Sequence, residues 1–178
     1  MSQLPIRQYT QALFEYSKEH KNLDPVYRDT GKIRILMDRC DEFCQFLKNP
    51  VIPSDRRHII LKKIFIGKIN KLTLDYILFL ETKNRLHLLK SICEMFEKIY
   101  FEDKNIATVT VTSPMALSAL QINTLKKYFK NKFKKTIKPQ TRIDASMIGG
   151  IKVKMDDQVF DYSFRTQLDQ FKQTILGA

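Results

Sequence analysis

The strongest constraint on how this chain folds is a change of period near Asn105. Upstream of it, apolar residues return every three or four positions, which places them on one face of a helix. "LPIRQYTQALFEYSKEH" does this with Ile6, Tyr9, Leu13 and Tyr16, and Pro5 suits a first helical turn. A second segment opens at Asp24-Pro25, read as an N-cap followed by proline, and carries Val26, Ile33, Leu36 and Met37 to Cys40 across Gly31. "DEFCQFLKN" gives a third helix that ends at Asn49-Pro50. Ser54-Asp55 reads as the cap of a fourth, "RRHIILKKIFI", which stops near Gly67. "NKLTLDYILFLETKN" and "RLHLLKSICEMFEKIYFEDK" are the fifth and sixth, with Asn84 as the candidate break. Downstream, "IATVTVTS" alternates β-branched and small residues, as a half-buried strand requires.

The division predicts a mainly α protein: an N-terminal six-helix bundle over residues 1–105, then a small α+β domain over 106–178. In the second part a helix reads from Ser113-Pro114 through "KKYFKNKFKK", with Leu117, Leu120, Leu125, Phe129 and Phe133 as its apolar stripe. "TIKPQTRID", "IKVKM" and "QVFDYS" read as strands, with Asp156-Asp157 as a turn, and "FRTQLDQFKQTIL" closes the chain as a helix. Only 5 glycines and 6 prolines in 178 residues agree with long helices and few tight loops. No internal repeat is visible.

Gly149-Gly150 is the one glycine pair. A phosphate-binding loop needs its glycines to lead into a helix whose N-terminal amides face the anion, whereas this pair leads into the strand "IKVKM". The pair therefore reads as a structural turn or a close backbone approach. Catalytic signals are thin. No serine lies in an elbow motif, the three histidines His20, His58 and His87 lack partners readable from spacing, and Asp41-Glu42 points to different helix faces. Cys40 and Cys44 share a helix face but have no histidine at zinc-finger spacing, so with Cys93 they read as structural thiols of a reducing compartment. No catalytic, cofactor or metal residue is assigned. The longest apolar run, around "YILFLETK", is too short to span a bilayer.

The formal net charge is +12. With Tyr128, Phe129 and Phe133 set among lysines, that charge leaves open a basic RNA- or ribosome-associated protein, or otherwise a solvated basic face. Phe129 and Phe133 fall on the stripe with Leu125, which favours core. An enzyme with a site unreadable from spacing is the third possibility.

Four segments in order, "QYTQALFE", "FLKNPVIP", "LETKNRLHLL" and above all "IDASMIGGIKVKMDDQVFDYS", resemble the delta subunit of F-type ATP synthases, related to the mitochondrial oligomycin-sensitivity-conferring protein. The likeness spans nearly the whole chain. Asp144, Ser146, Ile148, Gly149, Gly150, Val159, Asp161 and Ser163 carry its most specific part. Thr10, where the family usually has alanine, and "MDD", where it has glycine, depart from it. The resemblance implies a non-catalytic stator subunit that joins the catalytic head to the peripheral stalk of a proton-translocating synthase. It implies alpha and beta subunits of the head and the b subunit of the stalk as partners, with no cofactor and no specific nucleic acid. Tyr9, Ala12, Tyr76 and Phe79 are then expected to hold an alpha-subunit helix, and Leu168 and Phe171, with Phe164 and Ile175 on the same stripe, to meet the b subunit. The expected location is peripheral, on the cytoplasmic side of a bacterial inner membrane, because no Arg- and Ser-rich presequence opens the chain.

Overall fold

A computed structural model describes residues 3–49, 51–155 and 158–176. Pro50 and the expected turn at Asp156-Asp157 lie outside them. The protein is mainly helical with one small sheet, and it divides into two compact units, residues 1–100 and 101–178. The last turn of the sixth helix falls with the second unit.

In the first unit the helices are α1 (Gln3–Glu19), α2 (Leu23–Arg39), α3 (Asp41–Lys48), α4 (Ser54–Phe65), α5 (Lys71–Thr82) and α6 (Leu89–Asp103), with a 3-10 turn at Leu86–Leu88 before α6. Left-handed residues follow three of them, α1, α5 and α6, the last at Asn105 (φ 52°). Lys21 (φ 54°) and Asn84 (φ 53°) let the chain reverse while Asn22 and Arg85 donate back to the carbonyls of Ser17 and Leu80 at 2.8 Å, the Schellman arrangement. Ile33, Leu61, Ile77, Leu80, Ile92 and Phe96 are fully buried. Burying each such side chain contributes roughly 1.5–3 kcal/mol of transfer free energy.

Thr10 and Ser17 complete the buried face of α1 between Ile6, Leu13 and Phe14. Their hydroxyls donate to the carbonyls of Ile6 (2.7 Å) and Phe14 (2.8 Å), so neither is left unpaired. Thr10 therefore fills a packing position without an orphaned donor. Tyr100 closes the other end of the unit. Its ring stacks on Tyr27 at 4.0 Å and its hydroxyl donates to Asp24 at 2.8 Å. Burial, then that hydrogen bond, push its phenol up to about 12.

In the second unit β1 (Ile106–Ser113) is followed by α7 (Ala119–Phe133), β2 (Thr136–Ile143), β3 (Gly150–Met155), β4 (Gln158–Ser163) and α8 (Phe164–Leu176). The sheet order is β2-β1-β3-β4. β1 and β2 are parallel, joined by the α7 crossover, and β3 runs antiparallel to both β1 and β4. Pro139 in β2 is tolerated because β2 is an edge strand. Val109, Val111 and Val153 pack on Phe129 of α7, with Leu125, Phe133 and Phe160 around them.

Three helix starts differ from the sequence reading, two because a polar side chain has a longer-range use and one because the Ser113 hydroxyl donates to the Met115 carbonyl in a local turn. Asp24 does not cap α2, which begins at Leu23, but accepts from Tyr100. Ser54 lies inside α4 and donates to Glu81 of α5 at 2.8 Å. Ser113 ends β1, and Ser118 starts α7 through a reciprocal capping box with Gln121. Leu120, expected on the α7 stripe, faces outward as a result.

Candidate docking surfaces

The placement of α5 is set by polar contacts at its N-terminus. Asn70 accepts from the Leu72 amide at 2.9 Å as an N-cap, and its own amide donates to buried Asp29 of α2 at 2.6 Å. Thr73 donates to the same carboxylate at 3.2 Å. At the far end of α5, Glu81 is buried, with one oxygen held by Ser54 and the other 3.6 Å from His58 Nδ1. α5 is thus anchored at both ends, and its middle presents Tyr76 and Phe79.

The structure brings three of the four expected first-unit residues into contact. Tyr76 donates its hydroxyl to the Tyr9 carbonyl of α1 at 2.9 Å, and the Phe79 ring lies 6.3 Å from those of both Tyr9 and Tyr76. Burial raises the Tyr76 phenol well above its usual range, so the tyrosine is a neutral tie between the helices. Tyr9 and Tyr76 are half-buried and Phe79 is 44% exposed, with Lys83 over its ring. Ala12 lies on the exposed side of α1, one turn after Tyr9. Tyr16, one turn further and 53% exposed, extends the stripe, although the sequence reading had placed it with Leu13 on the buried side. Because Thr10 and Ser17 are polar, the true buried face was hidden from an apolar count. A mixed aromatic and small-residue strip, Tyr9-Ala12-Tyr16 beside Phe79, is a shape on which a partner helix can lie.

The second surface is α8. Phe164, Leu168, Phe171 and Ile175 recur along it and are 53%, 56%, 64% and 65% exposed. The sheet does not cover this stripe. An exposed apolar stripe of four large side chains is a candidate interaction face.

Gly149 and Gly150 hold the root of α8. Gly150 has φ +81° and pairs with Ser163 at the open end of the β3–β4 hairpin, while the Gly149 carbonyl accepts from the Phe164 amide at 3.1 Å. The pair does not connect neighbouring strands, because β1 lies between β2 and β3. The rest of the motif is also framework. Asp144 accepts from the amide and hydroxyl of Ser146 at 3.0 and 2.6 Å, and Asp161 accepts from the Ser163 amide at 2.9 Å. Ser163 Oγ in turn accepts from the Thr166 amide at 3.4 Å, in the first turn of α8.

The bonds from Ser163 hold the Asp161 carboxyl down at about 2. A carboxylate titrating near 3.9 unfolded and near 2 folded contributes stability above about pH 4 that is lost as pH falls to 2. Asp161→Asn is therefore expected to lower second-unit stability at pH 7 by less than about 1 kcal/mol, since the group is largely solvated. Urea unfolding should show the gap between variant and wild type closing between pH 4 and pH 2; a gap constant with pH would contradict the assignment.

Among the described residues no cluster of His, Cys, Asp or Glu suits a metal ion, and no helix is long and apolar enough to cross a membrane. Cys93 is buried, and burial pushes its thiol up to about 12, so it is an inert packing residue. Phe129 is 1% exposed and Phe133 packs beside it, which leaves only Tyr128 of that trio open to a base.

The chain matches the family described as ATP synthase delta (OSCP) subunit over residues 6–175. An ATP synthase subunit delta of Acetivibrio thermocellus is 31% identical over 175 residues, spanning 98% of each chain. One from Clostridium botulinum strain Langeland is 30% identical, spanning 96% of this chain and 95% of the relative. A chain in the cryo-EM structure of the Toxoplasma gondii mitochondrial ATP synthase hexamer shares the fold, with a TM-score of 0.71 over 95% of this chain and 96% of that one at 21% identity. The chain belongs to the ATP synthase delta (OSCP) subunit family, the non-catalytic stator subunit of F-type ATP synthases.

Proposed function

We propose that this chain ties the catalytic head to the peripheral stalk through one face on each unit. The first unit, a six-helix bundle, holds an amphipathic helix of an alpha subunit against Tyr9, Ala12, Tyr76 and Phe79. The second unit holds the b subunit along Leu168 and Phe171 of α8. The chain works at the cytoplasmic face of a bacterial membrane, attached through the complex.

The observation that carries this reading is the pair of uncovered apolar faces, α1/α5 in one unit and α8 in the other. Nothing in it asks for bond-making chemistry. A stator resists torque through stiff interfaces, and the two-ended anchoring of α5 supplies stiffness where the head would bind. Gly149 and Gly150 act indirectly, by fixing where α8 leaves the sheet.

Ala12→Trp tests the head side. Ala12 is exposed, so the variant is expected to fold with unchanged urea stability, within about 0.5 kcal/mol. The indole would hold a partner helix away from the strip and weaken head binding about tenfold or more in calorimetric titration with the isolated catalytic head. Unchanged affinity would remove Ala12 from the interface.

A further inference from the structure

The face of the sheet turned away from α7 has a composition that neither docking strip explains. The strand register puts Lys138, Gln140 and Arg142 of β2 beside Thr108, Thr110 and Thr112 of β1. It then puts Lys154 and Lys152 of β3 beside Thr110 and Thr112, and Val159 and Asp161 of β4 beside those lysines. The result is a central column of threonine hydroxyls flanked by four cations and one carboxylate. Lys138 lies over the Phe101 ring at 4.6 Å, and Lys152 pairs with Asp161 at 3.4 Å. Gln140, Arg142, Lys152, Lys154 and Val159 are exposed.

Single-layer sheets ordinarily interleave both signs on a solvated face, since like charges on neighbouring strands repel. Here Arg142, Lys152 and Lys154 gather within two rows of the sheet with Asp161 alone against them, and the field of such a patch favours an anion. The threonine column adds hydroxyl donors at the centre, suited to carboxylates. We propose that this face binds an acidic polypeptide segment of a neighbouring subunit in the assembled synthase. The proposal rests on the chain's working inside that complex, but not on which subunit covers α8. Charge complementarity selects an acidic segment. A single-stranded nucleic acid is disfavoured because Phe101, the aromatic ring at this face, already lies under Lys138 rather than open to a base. The contact is a steering and register device: surface pairs of this kind set orientation and salt dependence more than total affinity.

Carbodiimide coupling in the intact synthase tests this directly, because it joins a lysine amine to a carboxylate only where the two already touch. Mass spectrometry is expected to find Lys152 or Lys154 joined to an Asp or Glu of another subunit. Coupling confined to Asp161 of the same chain, or coupling to other subunits only through the lysines of α7, would overturn the proposal. Full-length Arg142→Gln/Lys154→Gln should assemble about tenfold more weakly at 50 mM salt and like wild type at 500 mM. A defect equal at both salts would contradict the electrostatic role. If this variant instead lost binding to a 20-nucleotide single-stranded RNA that wild type retained, with no inter-subunit coupling at Lys152 or Lys154, the face would belong to nucleic acid and the proposal would fail. A stalk that binds normally after the α8 stripe is removed, with coupling at Lys152 still seen, would discard the α8 assignment and leave this one standing.

Discussion

Gly150→Val is expected to unfold the second unit and leave the first folded. At φ +81° a β-branched residue is strained before any contact is considered. Its Cβ would also fall on the Tyr162 carbonyl oxygen and 2.8 Å from the Ser163 Cα, both backbone positions of the paired strand. Backbone cannot swing aside as a side chain can. The strain and the clash together should cost about 3 kcal/mol or more, a large share of what a small domain has in reserve. Gly149→Ala differs in kind: its Cβ would meet the Phe164 ring at 2.5 Å, and that ring is half in solvent and able to rotate. The expected order of damage is Gly150→Val well above Gly149→Ala. Amide NMR spectra check it, with β1–β4 resonances collapsing in the first variant while those of α1–α5 keep their dispersion. A fully dispersed Gly150→Val spectrum would contradict the account.

Leu168→Glu/Phe171→Glu is expected to abolish stalk binding without harming the fold. Both side chains are more than half exposed, so their replacement removes little from the protein's own core. Stability should stay within about 0.5 kcal/mol per site. Central apolar anchors of an interface commonly cost about 2 kcal/mol each when lost, and here two are replaced by charges that a partner would have to desolvate. Binding of the isolated stalk chain should therefore fall by about a thousandfold in surface plasmon resonance. A loss of less than tenfold would mean that α8 is not the main stalk contact.

The extents of the elements were readable because period reports local geometry. "IATVTVTS" became β1 residue for residue, and "QVFDYS" became β4. The order of the strands was not readable, since nothing local tells "IKVKM" to pair with β1 and leave β2 on the edge. Pro139 held the one clue, because a proline without an N–H belongs on an edge strand. Cap signals misled for a different reason. Asp24, Ser54 and Ser113 have the right chemistry for helix starts, but partners distant in sequence or a turn of the backbone claim the same atoms.

For the candidate surfaces, the α8 stripe was visible and its exposure was not. Phe164, Leu168, Phe171 and Ile175 have the same spacing whether their own sheet or another chain covers them. On α1 the difficulty was the reverse. Buried Thr10 and Ser17 looked like surface residues until their hydroxyls were seen bonded to Ile6 and Phe14, and only then did Tyr16 move to the outside with Ala12. The basic sheet face depends wholly on register, because Arg142, Thr112 and Lys152 become neighbours only through pairing.

The central claim is that one chain bridges two partners through separate faces, and native mass spectrometry of full-length variants mixed with the head and the stalk chain tests it most directly. Wild type should give the ternary assembly. Ala12→Trp should keep the stalk and shed the head, and Leu168→Glu/Phe171→Glu should keep the head and shed the stalk. Loss of both partners from either variant, or of neither from both, would contradict the division of labour between α1/α5 and α8.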